Sequence, residues 1–117
     1  MKHNVMNIDT KEGFGRGNWS DLTNNLNLAF EPTGADPKDP KQPSHTVYAV
    51  VGERNIDIGS MWRNTVTQGP HTGQKYYSME LDDPSFQREL KLSTWPTGEA
   101  DEWRLFWSRD KREQKAA

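Results

Sequence analysis

Three places in the chain set an aromatic ring beside a fixed positive charge: Trp62-Arg63, Lys75-Tyr76 and Trp107-Ser108-Arg109. Such pairs can bind a single-stranded nucleic acid. The ring offers a face on which a base stacks, and the neighbouring Lys or Arg neutralises a phosphate. Arg16 and Trp19, in and just after a Gly-rich segment, repeat the combination at wider spacing. A different chemistry would use carboxylates, and Asp82 and Asp83 stand together just before Pro84. Successive side chains of a strand point to opposite faces, so these two do not form an acid/base pair or a metal clamp while the strand continues. Asp-Asp-Pro-Ser is also turn chemistry, in which an Asp side chain accepts backbone N–H bonds. A structural turn is therefore the more economical role for Asp82, Asp83 and Pro84.

Catalysis finds few other footholds. The histidines are His3, His45 and His71, and none falls in a cluster with metal-ligand spacing. There is no cysteine, hence no disulfide framework and no thiolate metal site. A nucleophile elbow of the Gly-x-Ser-x-Gly type is absent. Gly13-Phe14-Gly15-Arg16-Gly17 lacks the Gly-Lys-Ser/Thr of a phosphate loop and the preceding strand of a dinucleotide fingerprint, so it reads as a bulge or tight bend. No enzymatic activity, no metal and no cofactor are expected.

The elements that must carry these residues are strands. Tyr77, Met79 and Leu81 alternate with Ser78 and Glu80, the period of a half-buried strand. Thr46 to Gly52 is apolar on both faces and reads as a central strand. A polar turn at Asn24-Asn25 leads into a strand over about 26–31. Ile56, Ile58 and Trp62 share a parity in another, with Gly59 marking a bulge or barrel bend. Weaker alternation runs from Phe86 to Thr94, and a last strand holds Trp103, Leu105 and Trp107. Six to seven short antiparallel strands with regular turns and no amphipathic helix predict an all-β domain. It is a small barrel of the oligonucleotide-binding kind or a compact sandwich. Residues 1–13 read as a flexible leader, 14–109 as the domain with a Pro-rich loop at 31–44, and 110–117 as a charged tail. The shared parity of Trp62, Trp103 and Trp107 with Ile56, Ile58 and Leu105 assigns those rings to the core. Trp19 and Trp95, beside turns, are left as exposed anchors.

Composition bounds the rest. The 117 residues suffice for one domain. Leu, Ile, Val and Phe make up only about a sixth of the chain, but five Trp and three Tyr supply large rings for a core. The net charge of −2 shows no global basic excess, so a nucleic-acid footprint must be a local patch. No apolar run approaches a membrane span and residues 1–17 hold no apolar signal segment, so a cytoplasmic protein without a membrane partner is expected.

Ile58-Gly-Ser-Met-Trp-Arg63, then Tyr77-Ser-Met-Glu-Leu-Asp-Asp-Pro-Ser-Phe86, then Leu105-Phe-Trp-Ser-Arg109 occur in that order. Together they resemble the bacterial family known as domain of unknown function seven-three-six, over about residues 13 to 110. The resemblance implies a bacterial setting, often beside plasmid-transfer and integrative-element genes, and it brings no catalytic residue. The expected function is accessory binding. One partner is single-stranded nucleic acid held by Arg63, Lys75, Tyr76 and Arg109, with Arg16 or Trp19 contributing. The alternative is a host or mobile-element protein, as for an inhibitor of host defence or a transfer-complex accessory, bound through Trp19, Trp95 and the 31–44 loop. An exposed edge strand would offer a route to a homodimer.

Overall fold

The computed structural model describes residues 4–9, 11–22, 24–34, 39, 41–86, 89–99 and 101–107. Within them the chain forms eight strands: β1 (Val5–Ile8), β2 (Gly15–Ser20), β3 (Asn25–Pro32), β4 (His45–Val51), β5 (Arg54–Thr65), β6 (Lys75–Leu81), β7 (Leu90–Pro96) and β8 (Glu102–Trp107). Each pairs antiparallel with the next, and β8 closes on β1 with Met6 opposite Trp103. The result is an up-and-down barrel, all-β as expected. Its meander order differs from the five-stranded Greek-key barrel of the oligonucleotide-binding kind.

The lumen is filled, not hollow. Met6, Phe30, Leu28, Val47, Met61, Met79, Leu81, Leu92 and Leu105 are all buried, and their strand parity points inward. The lean aliphatic content suffices because one small lumen is lined once, with Trp19 and Trp103 supplying bulk. Apolar side chains face in and polar ones mostly face out, the reverse of a membrane-spanning barrel. No helix among the described residues is long and apolar enough to cross a membrane.

Several expectations are corrected here. The leader over 1–13 instead contributes β1, which buries Met6 and Ile8 and seals the barrel. The Gly13–Gly17 bend is mostly β2. Its glycines are an interior feature: a Cβ on Gly15 would lie 2.6 Å from the Asn7 carbonyl oxygen, and one on Gly17 would lie 2.7 Å from the Met6 Cβ. Glycine at these inward positions lets β2 lie close on β1, which periodicity alone cannot reveal. The strand expected from Phe86 begins only at Leu90. Among the described strands the barrel is closed, so none of them is an edge.

The bulge expected at Gly59 is present. Val47 pairs with Gly59 and Tyr48 with Asp57, so Ile58 is an extra residue opposite β4. Ile58 and Met61, three apart, are both buried. The inward register therefore shifts in mid-strand, and Trp62 passes to the outer wall instead of the core.

Candidate nucleic-acid interface

The register fixes a patch on the outside of β5–β8. One row across the sheet runs Asn64, Tyr76, Trp95, Arg104; the next runs Trp62, Ser78, Ser93, Phe106; a third brings Glu80 opposite Lys91. The Tyr76 and Trp95 rings stack, with centroids 4.4 Å apart and planes 11° from parallel. Such a pair forms because neighbouring outward positions on adjacent strands bring large side chains into contact. Arg104 lies over the Phe106 ring at 5.7 Å. Asn64 Nδ2 donates to Ser78 Oγ at 2.7 Å, which fixes the amide beside Tyr76.

Arg63 and Lys75 stand on the alternate parity at the same end of β5 and β6, opposite Tyr77 and Thr65. Both are exposed at the barrel rim. Among the described residues, no carboxylate pairs with Arg63, Lys75 or Arg104. Arg104 thus stands on the wall beside the stacked rings, with Arg63 and Lys75 at the adjoining rim, and none of the three has a carboxylate partner among the described residues. The acidic neighbours lie at the margins, Glu80 toward the far end and Glu102 at the β7–β8 turn, where Thr97 Oγ1 donates to its carboxylate at 3.0 Å.

The fold brings Arg63, Lys75 and Tyr76 together and separates the other expected residues from them. Arg16 is outward on β2, between Asn7 and Ala29, across the barrel from β6. Trp19 is no surface anchor: it is buried in the lumen, and its Nε1–H donates to Asp21 at 2.9 Å. Trp107, expected in the core, is 54% exposed at the barrel mouth. Arg109 lies outside the described residues. Trp95 is half-buried on the outer wall, and Arg104 joins it from β8. That partnership is invisible without the β7–β8 register, although the outward parity of Arg104 was readable.

The Asp-Asp-Pro-Ser segment is a turn. Asp83 Oδ2 accepts from the Ser85 N–H at 2.9 Å and from the Ser85 hydroxyl, and Phe86 N–H donates to the Asp83 carbonyl at 2.8 Å. The Ser85 bonds hold the Asp83 carboxyl below its ordinary range. Asp82 N–H donates to Ile58 O at 2.7 Å and ties the turn to the bulge. Among the described residues no group of His, Asp or Glu forms a metal site.

Behind the rim, His45 is buried and links three elements. The Gly13 carbonyl can only accept, so His45 Nε2 carries a proton toward it at 2.8 Å. His45 Nδ1 lies 2.7 Å from Ser44 Oγ, whose single proton is shared between Nδ1 and the Met61 carbonyl at 3.1 Å, and the Tyr77 ring meets the imidazole edge-on at 5.8 Å. Burial pushes the imidazole below its ordinary 6.5; the Gly13 bond opposes this, and Arg63 adds to the lowering. The unfolded chain therefore takes the proton first. The stability owed to neutral His45 is complete above pH 6.5 and is lost as pH falls from there to the lowered folded value. The slope in that window is at most about 1.4 kcal/mol per pH unit, the limit for one proton. Urea midpoints at closely spaced pH values should show it, and His45→Asn should flatten it. An unchanged pH profile in that variant would remove His45 as the source.

At the opposite mouth, Trp19, Leu22, Phe86, Leu90 and Trp107 line a groove of about 610 Å³, with Leu22 fully exposed on the β2–β3 turn.

With the geometry in place, comparison with known proteins adds one relationship. The family model described as "Protein of unknown function (DUF736)" matches residues 5–110. No curated protein and no solved structure matches the chain.

Proposed function

We propose that this chain, which belongs to the DUF736 family, binds single-stranded nucleic acid on the outer wall of β5–β8 without catalysing a reaction on it. The observation that carries this reading is the stacked Tyr76–Trp95 pair, with Arg104 beside it on the wall and Arg63 and Lys75 at the adjoining rim, none of them paired to a carboxylate among the described residues. Stacking is sequence-tolerant because every base has a ring face, and unpaired cations are free to take phosphates. A net charge of −2 is compatible with this, since only the local field matters at contact. In this proposal the protein is a cytoplasmic accessory of a bacterial mobile element, where transfer generates single strands.

Tryptophan fluorescence tests the proposal. A ten-nucleotide oligothymidylate should quench emission saturably at low salt. If three phosphates are contacted, log K should fall with log salt at a slope of about −2. Absence of quenching at micromolar oligonucleotide would overturn the reading.

A second reading, protein binding, draws on the other mouth, where Leu22 is fully exposed beside Trp107 at 54%. Apolar and aromatic side chains of this kind anchor protein interfaces. Here the partner would be a host or mobile-element protein, and its affinity would be nearly insensitive to salt.

A further inference from the structure

Two serines lie in the middle of the aromatic wall. In the second row Ser78 and Ser93 are neighbours, Trp62 stands beyond one and Phe106 beyond the other. The stacked Tyr76–Trp95 pair stands over one end of this low floor, and Glu80 and Lys91 stand at the other. Both serines are half-buried. Ser78 Oγ accepts from Asn64, which leaves its own proton to donate, and Ser93 Oγ has no partner among the described residues. A flat patch of small polar side chains ringed by four aromatics is unusual on an outer barrel wall, where nothing in the fold requires it.

Resting on the reading above, we infer that the Ser78–Ser93 floor is a second base seat, so the wall holds two successive bases of an extended single strand. Spacing supports this. Rows of like parity are two residues apart, about 6.8 Å at 3.4 Å per residue. Bases in a duplex are about 3.4 Å apart along each strand. Bases engaged on successive rows are therefore spread to twice the stacked separation, which a free single strand can adopt and a duplex cannot without unstacking. The first base stacks on the Tyr76–Trp95 pair. The next lies over the serines between Trp62 and Phe106, with hydroxyls within reach of its edge. Arg104 stands in the first row and Lys75 and Arg63 lie at the adjoining rim, so the cationic end of the wall takes the phosphates that flank the first base. Nothing in the arrangement addresses the sugar 2′ position, so DNA and RNA strands of equal length should bind alike.

Filling the floor tests the seat separately from the stack. Ser93→Leu puts bulk where the second base would lie and leaves Tyr76 and Trp95 in place. Trp62→Ala removes one wall, and Tyr76→Ala serves as the reference loss. Each variant is first checked for an unchanged thermal midpoint. Affinities are then measured for ten-nucleotide oligothymidylate, oligouridylate and a ten-base-pair duplex. The seat predicts at least about a fivefold loss in both Ser93→Leu and Trp62→Ala, the low end of one base's stacking contribution. It also predicts equal DNA and RNA affinity and much weaker duplex binding. Wild-type affinity in both Ser93→Leu and Trp62→Ala, with a clear loss in Tyr76→Ala, would overturn the second seat and leave the stacking platform standing. Duplex binding as tight as single-strand binding would also overturn it. No binding of either oligonucleotide by the unaltered protein would overturn the platform itself, and the seat with it.

Discussion

Gly59→Ala should leave little native protein. A Cβ at this position would overlap the Glu80 carbonyl oxygen and come within 2.9 Å of its carbon and 3.0 Å of Leu81 Cα. All three are backbone atoms, and Glu80 is paired on both sides, to Ser60 of β5 and Lys91 of β7. The collision cannot be relieved by turning a side chain. Either β6 moves away from β5 or the bulge is lost, and losing the bulge would swing Met61 out of the lumen. Overpacking of an ordinary core costs about 1–3 kcal/mol. A rigid backbone overlap belongs to the rare class above about 4 kcal/mol. Against a domain stability of about 5–15 kcal/mol, that loss takes most of the fold. Chemical denaturation followed by circular dichroism measures it, with Ser60→Ala as the neighbouring control. A Gly59→Ala protein within about 1 kcal/mol of the parent would show that the close approach does not govern this bend.

Loss of the stacked pair should abolish useful affinity for single strands. Removing a base-stacking ring costs about 1–3 kcal/mol per base, or roughly fivefold to 150-fold. Tyr76→Ala with Trp95→Ala removes both faces, so the expected loss lies at the upper end of that range or beyond. The variant should remain folded, because both rings are on the outer wall and the lumen residues Tyr77 and Thr94 beside them are untouched. Arg104→Gln should behave differently. It should weaken binding of every sequence alike and reduce the salt slope by about 0.7, the share of one phosphate contact on a single strand. A double variant that binds as the parent does would exclude the wall as the site, and the groove at the other mouth would then become the first surface to test.

Legibility in the sequence followed the physics of alternation. β6 was readable to the residue, because Tyr77, Met79 and Leu81 are apolar on one face and Asp82-Asp83-Pro84 ends the ladder. β1 and β2 were not. β1 is four residues long, and β2 places glycine at two of its three inward positions, so neither shows an apolar stripe. Closure of the barrel was hidden with them. The site was half legible. Arg63, Lys75 and Tyr76 are neighbours because they lie at the start of one hairpin, a local relation. Trp95 and Arg104 join them only through pairings between β6, β7 and β8. Trp62 and Trp19 exchanged roles for two separate reasons. The bulge reverses parity after Ile58, and Trp19 points inward despite the turn that follows it.

β1 also sets how the molecule comes apart. It pairs at three positions with β2 and three with β8, whereas β5 and β6 share seven. Two further backbone bonds, Ile8 N–H to Asp101 O at 3.0 Å and Leu105 N–H to Asn4 O at 2.7 Å, add to these, and Asn4 just before it accepts from Ser20 N–H through its side chain at 2.7 Å. As the shortest stave of the cask, it is the one whose lifting breaks the fewest ladder bonds. Lifting it turns a hoop into a ribbon with raw borders along β2 and β8, each able to template pairing with another chain. The shelf life of a concentrated sample would then be set at this seam, and amide exchange in β1 would report it long before global unfolding does.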